Sequence, residues 1–153
     1  MKQVIDVLDT YVNWPISTRD EIAKKLYIGI IDEFNKMRLS KEKKNEHLRN
    51  ILCLFISFNQ SSDMLEKEFM EKILGRELRI ESFFTIKNYG FTGDFLDQMR
   101  TWFRSLSGAL FYSIFRFGCL LITEKGSYTK DELRMLSLIF DWDPNKVHKY
   151  YTF

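Results

Sequence analysis

Two histidines and two cysteines are the side chains in this chain best suited to metal binding or covalent chemistry. His47 and His148 lie far apart in sequence, without cysteine or acidic neighbours at ligand spacing. No HExxH helix, clustered CxxC pair or calcium-binding loop occurs. His47 is expected on the polar side of its helix beside Glu46, and His148 at the surface near the end of the chain. Cys53 and Cys119 fall in apolar runs, which predicts buried, neutral thiols in a reducing compartment rather than a disulfide. Nucleophilic catalysis needs a base beside its nucleophile, and the sequence offers neither a GxSxG elbow nor a P-loop. Gly90-Phe91-Thr92-Gly93 leads into a helix start whose amides would suit an anion, but a turn and an N-cap are the better reading. The acidic pairs Asp6/Asp9 and Glu42/Glu46 sit among lysines on expected solvent faces, as surface ion pairs rather than a sheltered catalytic couple. The expectation is a protein that is not an enzyme and takes no cofactor or metal ion.

Binding chemistry has better candidates. Phe83, Phe84, Tyr89 and Phe91 crowd an irregular segment, and Trp142, Tyr150, Tyr151 and Phe153 cluster near the end. Such aromatics either anchor a protein partner or form a satellite core under a loop. Phe83, Phe84, Tyr89, Phe91, Trp142, Lys146 and Tyr150 are therefore the candidate partner-binding residues. Residues 129–151 also have the outline of a helix-turn-helix. However, Lys130, Arg134, Lys146 and Lys149 are balanced there by Asp131, Glu132, Asp141 and Asp143, whereas a DNA reader needs a basic second helix. Arg116, between Phe115 and Phe117, must snorkel outward or pair with Asp94, Asp97 or Glu124. Its alternative role is a contact to an anion or a partner.

The elements that would position these residues are helical. Val4, Ile5, Leu8, Tyr11 and Val12 predict a short helix ending before Pro15. Thr18-Arg19-Asp20-Glu21 reads as a capping box opening a helix with Ile22, Leu26, Ile30 and Phe34 four apart, in which Gly29 suggests a close crossing. Ser40 suits the cap of a third helix carrying Leu48, Ile51, Leu52, Phe55 and Phe58. Asp63 with Glu66 starts a fourth that ends at Gly75. Residues 76–93 break the pattern. The next helix begins at Thr92–Asp94 and would be unusually long, so a break is expected near Ser105–Gly108. Thr129-Lys130-Asp131-Glu132 is a second capping box, and Asp143-Pro144 opens a last short helix.

The run from Trp102 to Ile122 is aromatic, rich in small residues and free of acidic side chains, so it either crosses a bilayer or fills a core. A span needs roughly 20 predominantly apolar residues. Here Arg116 sits inside the window, at a cost of roughly 2.5–3.5 kcal/mol for insertion, and mean hydropathy over the chain is -0.25. A core helix is the better reading. The chain has 153 residues, 45% of them hydrophobic, and these suffice for a single domain with a substantial core. Net charge is +2, or +1 on each side of Arg76, so no basic field calls for nucleic acid or an anionic membrane. Met1 to Asp9 lacks a secretory signal, and the cytoplasm is the expected location. The whole is expected to be an all-α single-domain bundle of about seven helices around a central Phe-rich buried helix.

In general character the chain resembles the small cytoplasmic immunity proteins of bacterial toxin–immunity systems, including those of contact-dependent growth inhibition. It shares their compact size, their lack of motifs and the Lys-, Ile-, Asn- and Phe-rich composition of AT-rich accessory genes. The resemblance implies a single protein partner, a toxin domain, neutralised by docking over its active site. No residue signature is involved, so no functional residue is carried over. A small DNA-binding regulator using residues 129–151 is the alternative, and a viral helical bundle that inhibits a host protein shares the physics of the first reading.

Overall fold

The break expected near Ser105–Gly108 is present, and it is built by two serines. In the computed structural model, which describes residues 2–58, 67, 68, 71 and 93–140, the chain is all-α. Its helices are α1 (Lys2–Val12), α2 (Ile16–Lys36), α3 (Lys41–Phe58), α4 (Gly93–Ser105), α5 (Gly108–Ile122) and α6 (Lys130–Phe140). A 3-10 turn, Thr123–Lys125, follows α5, and no strand occurs among the described residues. At the end of α4, Ser105 Oγ donates back to the carbonyl of Trp102 at 2.6 Å. Ser107 then takes an extended backbone, and its hydroxyl accepts from the amide of Leu110, capping α5.

That cap starts the central helix. Every residue from Leu110 to Ile122 is buried except Ser113 and Arg116. A helix that is apolar nearly all round must be enclosed. α5 packs most extensively on α2, with α1 and α3 also against it, while α6 lies on α4 and α1. At 1.5 Å per residue α5 is about 22 Å long, short of a hydrocarbon layer of about 30 Å. No helix among the described residues is long and apolar enough to cross a membrane.

Phenylalanines join the layers. The ring of Phe140, at the end of α6, stacks on Phe103 of α4 at 4.9 Å and on Phe55 of α3 at 5.9 Å. It meets Phe111 and Phe115 of α5 edge-on at 5.5 and 5.1 Å. Phe55 reaches this cluster by lying directly on the backbone of α5 at Gly118, where a Cβ would strike its ring.

Three expectations change. α2 does not begin at a Thr18–Glu21 capping box. It starts at Ile16, with Pro15 as an N-cap lacking any side-chain hydrogen bond. The carbonyl of Pro15 already accepts from the amide of Arg19 at 3.1 Å, so the helix is under way before Thr18. Gly29 marks no crossing, since it is exposed with nothing within 4 Å of a Cβ placed there. Six α-helices are described rather than about seven. The expected helix at 144–151 lies outside the described residues, as does most of that at 63–75, of which Lys67, Glu68 and Glu71 are helical, while the long one is two. The Ser40 cap is as expected, its hydroxyl accepting from the amide of Lys43 at 3.1 Å.

The two glycines should respond to alanine with opposite signs. Gly118→Ala is expected to lower stability by about 1–3 kcal/mol through overpacking against Phe55. Gly29→Ala should raise it by up to about 1 kcal/mol through helix propensity alone. Urea unfolding of the two variants measures both.

Candidate binding surface

The partner-binding residues chosen from sequence, Phe83, Phe84, Tyr89, Phe91, Trp142, Lys146 and Tyr150, all lie outside the described residues. So do His148 and the second half of the 129–151 helix pair. The first half, α6, is seen. Its exposed Arg134 stands 3.6 Å from Asp131 in a surface pair. Among the described residues no group of three His, Cys, Asp or Glu side chains could hold a metal ion.

The buried titratable groups serve structure. Cys119 is fully buried on α5, and its surroundings push the thiol well above its ordinary value, which suppresses the nucleophilic thiolate. The second capping box forms as expected. Thr129 Oγ1 accepts from the amide of Glu132 at 3.1 Å, and the Glu132 carboxylate accepts from the amide of Thr129 at 2.8 Å. That carboxylate is fully buried, and both its oxygens meet Lys125 Nζ, at 2.8 and 2.7 Å. Lys125 also donates to the carbonyl of Ile122 at the C-terminus of α5, where a cation is favoured. Buried Arg19 of α2 donates to the carbonyl of Thr123 in the turn that follows. Together these links fasten α2, the end of α5 and the start of α6.

Two clusters reach the surface. On the face shared by α3 and α4, half-buried His47 stacks on half-buried Trp102, with centroids 4.6 Å apart and planes 10° apart. Phe34 of α2 backs both rings, at 5.7 Å from His47 and 6.1 Å from Trp102. His47 is therefore not on the polar side of α3 as expected, because its ring completes an aromatic layer. Desolvation holds the imidazole below its ordinary value, and the charge of Lys43 adds to the effect. Lys43 pairs with Glu46 at 3.2 Å. Further round α3, Glu42, Asn45, Glu46 and Arg49 line an open depression of about 430 Å³. Glu42 and Glu46 thus belong to a solvated face, as expected.

The second cluster surrounds Arg116, and the expected acid partners are not its neighbours. Its Nε donates to the phenol oxygen of Tyr11 at 2.6 Å, and its Cζ lies 5.9 Å from the Tyr11 centroid and 5.8 Å from that of Tyr112. Ring faces and a phenol take the place of the carboxylate, which the sequence could not show because Tyr11 lies on α1. Burial raises the Tyr11 phenol above its ordinary value. Asp9, two residues before Tyr11 on α1 and also expected to be a surface ion-pair residue, accepts instead from Tyr128 Oη at 2.6 Å. That phenol is pushed up to about 12, by desolvation first and by the carboxylate second.

The arrangement can offer a protein partner a flat aromatic edge with mixed charge around it. No family model, curated protein or solved structure matches the chain.

Two measurements test these assignments. Lys125→Met removes the ammonium from a buried carboxylate and should destabilise by about 3–5 kcal/mol, whereas Lys125→Met with Glu132→Met should recover much of the loss. Double-mutant unfolding compares them. Because the folded state depresses the His47 pKa, protonation favours the unfolded chain. The contribution of His47 is fully present above its ordinary value of 6.5 and is lost as pH falls through the lower folded value. Urea unfolding at a series of pH values should show this slope, diminished in His47→Gln.

Proposed function

We propose that this protein is a non-enzymatic binding module with one protein partner, and that it acts as an immunity protein docking over the active site of a toxin domain. The observation that carries the reading is the Trp102–His47 stack on the α3–α4 face. Tryptophan, backed by a rigid core and stacked on His47 with the Lys43 and Glu46 charges beside that ring, matches the composition of interface hot spots. The stack is held by Phe34 from a third helix, so little side-chain freedom is lost when a partner closes on it. Mixed charge of both signs around an aromatic centre favours selection of one partner over general adhesion.

Affinity capture with the tagged chain from source cells, followed by mass spectrometry, should yield one stoichiometric protein with toxin activity that the chain inhibits. Trp102→Ala, confirmed helical by circular dichroism, should weaken binding of that protein by about 2 kcal/mol, or roughly 30-fold. Turnover by the purified chain that is lost on replacing one polar residue would overturn the reading. So would nuclease-sensitive retention of DNA with no protein partner, which would favour a regulator.

A further inference from the structure

Arg116 is the only cation of α5, and it lies half-buried where that helix packs on α1. Its guanidinium carries five N–H donors, and the bond from Nε to Tyr11 uses one and fixes the plane. Among the described residues the terminal nitrogens meet no protein acceptor, and neither is sealed from solvent. Tyr11 is fully buried, so its oxygen accepts from Arg116 and anchors the guanidinium from beneath without itself reaching the surface. The rings of Tyr11 and Tyr112 hold the guanidinium in place by cation–π attraction. The result is a fixed fork of charged donors over a buried phenol.

We propose that Arg116, held in place by Tyr11, forms a receptor for a single carboxylate, that of an aspartate or glutamate side chain on a protein bound at α1 and α5. A guanidinium edge presents two parallel donors that match the two oxygens of a carboxylate. Charge selects the same ligand. One guanidinium balances one negative charge, which fits a carboxylate better than a dianionic phosphate. The site itself stands on geometry alone, and its assignment to a protein ligand rests on the binding-module reading above.

The test is nuclear magnetic resonance of the arginine Nε–H signals in the full chain, titrated separately with sodium acetate, capped glutamate (N-acetylated and α-amidated), sodium phosphate and sodium chloride. Acetate and capped glutamate should shift the Arg116 signal saturably, with dissociation constants on the order of millimolar and capped glutamate at least as tight as acetate. Tyr11→Phe removes the bond that fixes the guanidinium plane and should weaken both by up to about tenfold. Arg116→Lys, with helicity unchanged, should lose the saturable carboxylate response, read from neighbouring backbone amides. No saturation beyond the chloride control overturns the receptor, and an unchanged affinity in Tyr11→Phe overturns the positioning role of Tyr11. Phosphate binding as tightly as acetate, or capped glutamate failing where acetate binds, overturns the acidic side chain as ligand. Carboxylate binding without any partner in the capture experiment would leave this site standing while the binding-module reading fell.

Discussion

The ring of Phe140 is the point on which the helices converge. α6 has 11 residues, and a helix of that length is marginal alone, so its order must come from what it packs against. Phe140 supplies that contact by entering a cage of Phe55, Phe103, Phe111 and Phe115, drawn from three other helices. Each ring pair contributes about 0.5–1.5 kcal/mol beyond burial. The geometry matters as much as the energy. Two partners lie near-parallel to the ring, at 16° and 18°, and two stand nearly perpendicular, at 88° and 77°. A ring held in both ways at once has little freedom to turn, and α6 is fixed with it. The same constraint explains Gly118, because Phe55 can reach the cage only if α5 presents bare backbone there.

Apolar contact of this kind brings helices together without strongly fixing their register. The polar links at the opposite end of α5 supply that specification. Lys125 joins the last turn of α5 to the first turn of α6 through Glu132, and Arg19 ties α2 to the carbonyl of Thr123. A buried polar group is tolerated only when its partners are in place. Any displacement of α2 or α6 therefore breaks bonds that water cannot replace. Gly126, with φ 85°, makes the turn between these groups tight enough for Lys125 to serve both helices.

The parts of this fold legible in sequence are those set by near neighbours. The Thr129–Glu132 box, the Ser40 cap, the serine break before α5 and the burial of α5 all follow from spacing within a few residues. What was not legible depends on pairs distant in the chain. Arg116 and Tyr11 are 105 positions apart, and Arg19 and Thr123 are 104. For Arg116 local pattern suggested an acid and the fold supplied a phenol. The polar chain neighbours of His47 point it to solvent, yet its ring faces Trp102 from another helix. The Thr18–Glu21 box failed differently. Pro15 had already started the helix, and Arg19 inside the box was drawn into the core by a carbonyl it could not meet as a surface residue.

The two surface clusters differ in what they can give a partner, and the difference follows from how each is held. The Trp102–His47 stack offers apolar area with a polar tip, the chemistry that carries affinity at the centre of an interface. Arg116 offers a directed pair of donors, the chemistry that selects among partners. In both, the group proposed to meet a partner is immobilised by contacts from another helix: Phe34 behind the stack, and Tyr11 against the guanidinium. A long side chain ordered before encounter loses less entropy on binding than one that must be ordered by it. A small helical domain with a rigid aromatic core can therefore spend few surface residues on recognition and still be selective, because the core that folds it also fixes the groups it presents.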